Sequence, residues 1–182
     1  MKVGKCVHPR RAYNLMKTFL NDASDMMYLT IDHDYEKTEI LLHKADSFQA
    51  DVADCIEGDA EQEIYYNFDE LWDETAYYFR DFWCERAPIL AEFEDITLSL
   101  LHELGHLETN DQVRENFPMA MRELALMGLD DKPISYKEKN ALYFDLPDEK
   151  AATEWAIKWL AENAAIAKEF EKEFVKCWEA LS

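Results

Sequence analysis

A single, mainly helical α+β domain is the fold that this sequence predicts, with a small N-terminal β-hairpin and a pair of helices that share a metal site. Three observations predict it. The chain has 182 residues, 48% of them hydrophobic, which is enough for one packed core. From residue 95 onward, apolar residues recur at helical spacing, whereas two short apolar runs near residue 30 flank a polar, turn-like stretch. Residues 102–106 read His-Glu-Leu-Gly-His inside an apolar run. We read residues 1–182 as one domain in three parts: an acidic, aromatic-rich 1–94, a helical core 95–163 with the metal site, and a C-terminal helix 164–182.

Each element has its own reason. Residues 10–25 place Ala12, Leu15, Met16, Phe19 and Leu20 on one face of a first helix. Residues 27–31 and 38–42 read as two strands, and the polar 32–37 between them as a hairpin turn. Asp32, His33 and Asp34 offer metal-ligand atoms but serve there to end a strand. Residues 62–83 are dense in aromatics: Tyr65, Tyr66, Phe68, Trp72, Tyr77, Tyr78, Phe79, Phe82 and Trp83. Such rings pack a core or anchor an interface, and the pattern leaves helix and strand both open. Pro88 interrupts it. A helix covers 95–108, a loop 109–111, and a further helix 112–127 ends at Gly128. Residues 130–133 turn, and 142–146 are short and extended. Pro147 then opens a helix to 163, with Asp148 and Glu149 in its first turn, where the helix dipole favours acids. A last helix spans about 165–181.

Charge narrows the partners. The net charge is −20 and it is uneven. Residues 1–20 hold five Lys or Arg and no acid, while residues 46–74 hold eleven acids and no Lys or Arg. This field repels DNA, RNA and anionic membranes and favours a partner with a basic surface. A solvated face that keeps the chain soluble is the plainer reading of the same charge. No run of eighteen apolar residues predicts a membrane span, and residues 1–11 lack the apolar stretch of a signal peptide. Cys6, Cys55, Cys84 and Cys177 make no C-x-x-C pair and read as reduced thiols, so the expected location is cytoplasmic.

The five residues 102–106 carry the chemistry. On a helix, positions i and i+4 share a face, so His102 and His106 can aim at one metal ion. Glu103 lies beside that ion rather than on it, placed to take a proton from an attacking water. Gly105 costs about 1 kcal/mol of helix stability relative to Ala. A glycine in such a run predicts that something approaches the backbone closely.

A catalytic zinc site needs a third protein ligand. The later helix reads Glu149-Lys150-Ala151-Ala152-Thr153-Glu154-Trp155-Ala156. In these two motifs the chain resembles the ImmA/IrrE-like branch of the small H-E-x-x-H zinc metallopeptidases, common in phages and mobile elements. Their second motif is a helix of form E-x-x-A-[DN]-x-F-A. Glu149 matches the ligand Glu, Ala152 and Ala156 the small residues, and Trp155 the aromatic. Thr153 stands where that family has Asp or Asn, and its hydroxyl can make the same supporting hydrogen bond. The resemblance covers roughly 95–163. It implies a zincin-like helix pair holding one Zn²⁺ per chain through His102, His106 and Glu149. It also implies Glu103 as general base and water attack on a peptide carbonyl. Glu154 and Glu123 are rival third ligands. Tyr136 and Tyr143, which precede the ligand helix, are candidate oxyanion donors.

The acidic belt predicts a second function on the same scaffold. Asp54, Glu57, Asp59, Glu61, Glu63, Asp69, Glu70, Trp72, Asp73 and Glu74 would form a surface that competes for a basic groove. In size and charge the whole chain is similar to phage anti-CRISPR inhibitors of Cas9. That likeness implies a protein partner such as a Cas9-type nuclease, which holds nucleic acid in positively charged channels. It also implies blocked DNA binding, a non-catalytic metal site and, for a phage protein, the host cytoplasm.

Overall fold

Residue 95 begins a helix so apolar that it can only be a core element, and the rest of the fold is arranged around it. The computed structural model describes residues 3–24, 83, 84 and 86–180, and between them the backbone of short extended segments at 27–29, 35–37, 41–44, 49–52 and 62–66. Five α-helices lie among the described residues: α1 (Pro9–Ala23), α2 (Asp95–Asn116), α3 (Met119–Asp130), α4 (Tyr136–Phe144) and α5 (Pro147–Phe174). None of them is long and apolar enough to cross a membrane.

In α2, Ile96, Thr97, Leu98, Leu100, Leu101, Leu104, Gly105 and Leu107 are buried, on nearly every side of the helix. A helix apolar all round must be enclosed. Helix α5 packs against α2, and α1 closes the bundle with Ala12, Met16, Phe19, Leu20 and Ala23. The fully enclosed Leu100, Leu101, Leu104 and Leu160 each contribute about 1.5–3 kcal/mol by burial. Phe19 stacks on Phe170 with ring centroids 4.3 Å apart and meets Trp159 edge-on at 5.6 Å. Trp83, the last ring of the aromatic run, is buried in this core.

This body is helical, and it overturns the expected α+β class with its small N-terminal β-sheet. No strand or sheet layer builds the described core, because α1 and α5 already enclose α2 helix on helix. The expected strands at 27–31 and 38–42 fall partly outside the described residues, and no side chain of either is described.

Helix boundaries also differ from expectation. The expected loop at 109–111 is helical and belongs to α2, where the Thr109 hydroxyl donates to the Gly105 carbonyl at 2.7 Å. Helix α2 stops instead at Phe117–Pro118, since Pro118 has no N–H to continue it. Gly128 lies inside α3. The expected extended run 142–146 is mostly the end of α4, which starts from a capping box between Ser135 and Glu138. The two expected C-terminal helices are one, kinked at Asn163, whose backbone leaves the helical region at φ −125° and ψ 24°. The Asn163 amide donates to the Trp159 carbonyl at 3.0 Å, taking the acceptor of its own helical N–H.

Two devices fix α2 against α5. The buried Glu171 of α5 accepts from the Glu94 backbone N–H at 2.6 Å and from the Thr97 hydroxyl at 2.8 Å, capping α2 from outside. At Gly105 a Cβ would stand 2.3 Å from the Ala152 carbonyl oxygen. The close approach expected from the glycine is therefore the backbone of the helix that carries Glu149.

Candidate metal centre

Tight contact between α2 and α5 at Gly105 brings two sequence-distant motifs together. His102 and His106 project from one face of α2. Glu149 projects from the first turn of α5, which Pro147 starts and the helix dipole makes favourable for a carboxylate. His102 and Glu149 are almost completely buried, at 6% and 1% exposure, and His106 is partly buried.

The three groups converge on one point. His102 Nε2 is 3.0 Å from Glu149 Oε2, His106 Nε2 is 3.5 Å from the same oxygen, and the two Nε2 atoms are 3.2 Å apart. A tetrahedral zinc with bonds of about 2.0–2.1 Å sets its ligand atoms about 3.3–3.4 Å apart. All three edges are close to that value. The group His102, His106 and Glu149 can hold a metal ion. Its donor set of two imidazoles and one carboxylate suits zinc and leaves a fourth position free.

His102 is aimed from behind. Its Nδ1 lies 3.0 Å from Thr153 Oγ1. With the Nδ1 proton donated to that hydroxyl, Nε2 carries the lone pair that a metal requires. Thr153 thus makes the contact expected of it in place of Asp or Asn.

Glu149 has further partners. Arg122 of α3 donates from Nη2 to Glu149 Oε1 at 3.0 Å and from Nε to Asp148 Oδ2. Tyr143 of α4 lies close enough to Glu149 to feel its charge. Burial alone would raise the Glu149 carboxyl, but its hydrogen bonds and charge interactions with His102 and His106 hold it well below the usual carboxylate range. Burial would lower His106, and the hydrogen bond and charge of Glu149 outweigh it, so that imidazole is raised. Burial first, then the Glu149 charge, pushes the Tyr143 phenol far above its ordinary value and keeps it a neutral donor. Glu103 is 9% exposed and close enough to act electrostatically on both His106 and Tyr143.

The remaining expectations divide cleanly. Glu154 is turned to solvent and pairs with Lys150, and Glu123 is exposed, so neither is the third ligand. Tyr136 is 54% exposed, which leaves Tyr143 as the tyrosine at the site. Arg122 and Asp148 escaped the sequence reading as site residues. No spacing rule links Arg122 to a glutamate 27 residues on, and Asp148 reads as an ordinary first-turn acid. The belt residues Asp54, Glu57, Asp59, Glu61, Asp69, Glu70, Trp72, Asp73 and Glu74 lie outside the described residues, and of Glu63 only the backbone is described.

Comparison with protein-family models, with curated proteins and with solved structures finds no match for this chain.

Proposed function

We propose that this chain is a zinc-dependent metallopeptidase-like protein that uses Glu103 as its base. The observation that carries the reading is the His102–His106–Glu149 triangle, whose edges of 3.0, 3.2 and 3.5 Å approach those of a zinc tetrahedron. When bound, zinc supplies a Lewis acid that polarises a carbonyl and makes a water acidic near neutral pH. The side chains then have separate tasks. Thr153 fixes the tautomer of His102. Glu103, next to a ligand in sequence and not itself in the triangle, takes the proton of the attacking water and returns it to the leaving amine. Tyr143, neutral and at the ligand carboxylate, is placed to donate a hydrogen bond to a developing oxyanion.

Elemental analysis of protein purified without added metal tests the site, with one zinc per chain as the expected result. Glu103→Gln should keep that zinc and lose hydrolysis of a labelled casein substrate, because an amide cannot take the proton. Full activity in this variant would remove Glu103 from the mechanism.

The acidic belt supports a second reading. Eleven acids without a Lys or Arg between residues 46 and 74 suit a partner with a basic, nucleic-acid-binding groove, of which a Cas9-type nuclease is one. Binding should then weaken steeply with salt. Reversing Asp69, Glu70, Asp73 and Glu74 to Lys should abolish it, while His102→Ala spares it. The opposite pattern favours the peptidase.

A further inference from the structure

Arg122 stands outside both metal motifs, yet it is the group that engages the second oxygen of the third ligand. Its Nη2 donates to Glu149 Oε1 at 3.0 Å, while Glu149 Oε2 faces His102 and His106. The two oxygens of one carboxylate are therefore divided, one for the guanidinium and one for the metal position. The Glu149 side chain is only 2% exposed, so without Arg122 its Oε1 would turn either to a buried, weaker partner or to the metal itself.

A cation so near a metal position opposes a second cation by simple Coulomb repulsion. Asp148 answers this. Arg122 Nε donates to Asp148 Oδ2, so the two neighbouring carboxylates share one planar fork. Arg122 and Asp148 cancel, and the charge of Glu149 is left for the metal. The arrangement also explains why Asp148 is kept at 15% side-chain exposure beside an arginine at 29%. Helix α3 carries this arginine with only Leu129 as a buried apolar residue among those described, so its placement over the site depends strongly on the ion pair.

We propose that Arg122 is a positioning residue that holds Glu149 monodentate, presenting Oε2 alone and keeping the fourth position of the metal open. The proposal rests on the metal-site reading above. A lysine cannot replace the fork, since one ammonium offers no planar pair of donors to two carboxylates.

The test uses the full chain. Zinc affinity is read by competition with a chromophoric chelator, and coordination by the visible absorption of the cobalt(II)-loaded protein. Wild type is measured first: if it takes up no zinc, the metal reading itself falls, and this proposal with it. Given a binding wild type, Arg122→Gln should weaken zinc about 10- to 100-fold. Its cobalt band should lose intensity as the freed Oε1 enters the coordination sphere and the site becomes five-coordinate. A folded Arg122→Gln protein with wild-type affinity overturns the proposal. Weaker zinc with an unchanged cobalt spectrum overturns it too, since a merely structural role gives that pattern. Should the glutamine variant not fold, Arg122→Lys is read in its place: the same weakened cobalt band is expected, and a wild-type band overturns the fork.

Discussion

Thr153 is one hydroxyl away from valine, which makes it the sharpest residue-scale probe of the site. Thr153→Val preserves volume and branching but removes the Oγ1 that lies 3.0 Å from His102 Nδ1. A partner of this kind typically accounts for about 10- to 100-fold in metal affinity, and zinc binding should weaken by that range while the far-UV spectrum stays unchanged. Competition titration checks it, and undiminished affinity would show that His102 needs no tautomer support. At this scale the sequence was most legible where spacing is rigid. His102, Glu103 and His106 stand on one helix, so their geometry follows from 3.6 residues per turn. Glu149 needed a second motif. Arg122 could not be read, because α3 and α4 bring it back to the site through a path that no local period encodes.

Elements reveal why the two ligand helices meet at all. Gly105→Ala gains about 1 kcal/mol of helix propensity, yet it places a Cβ 2.3 Å from the Ala152 carbonyl oxygen, a backbone atom that cannot step aside. Overpacking of this kind costs about 1–3 kcal/mol and occasionally more. The clash should win, with a net loss of up to about 2 kcal/mol in denaturant unfolding and a matching fall in zinc affinity as α5 is pushed off. An alanine variant as stable as wild type would mean that the helices do not touch there. Helix α4 is held differently. It buries no residue and starts from the Ser135–Glu138 capping box. Hydrogen bonds from Ser135, side chain first and backbone second, lower the Glu138 carboxyl. A lowered acid stabilises the folded helix above its unfolded pKa and loses that effect as pH falls through its folded one. The protection of amides 136–144, taken relative to the intrinsic exchange rate at each pH, should therefore fall below about pH 4.5, and Ser135→Ala should lower it already at neutral pH. The sequence reading uses neither that box nor Pro118, and takes the polar 109–111 and Gly128 as boundaries instead. The α+β expectation failed for another reason: local apolar runs do not say whether a sheet joins the core, and the described core is closed helix on helix by α1, α2 and α5.

For the whole molecule, the candidate centre joins α2 to the first turn of α5, so a metal held there would link binding to folding. A ligand that binds only the folded chain stabilises it by RT ln(1 + [L]/Kd), about 2.7 kcal/mol at a free concentration of 100 Kd. For a chain of this length that is a rise of about 5–10 °C in the unfolding midpoint. The net charge of −20 attracts any divalent cation weakly, so magnesium at the same concentration is the control, and it should give little of the shift. His102→Ala removes a ligand and should abolish the response to zinc. Glu103→Gln leaves the triangle intact and should respond as wild type does, although it would be inactive. This pair of variants separates holding the metal from using it, with no need of a known substrate. Equal shifts with zinc and magnesium would reduce the effect to screening of an acidic surface. Loss of the zinc shift in a folded Glu103→Gln protein would make Glu103 a ligand, and the base would have to be sought elsewhere.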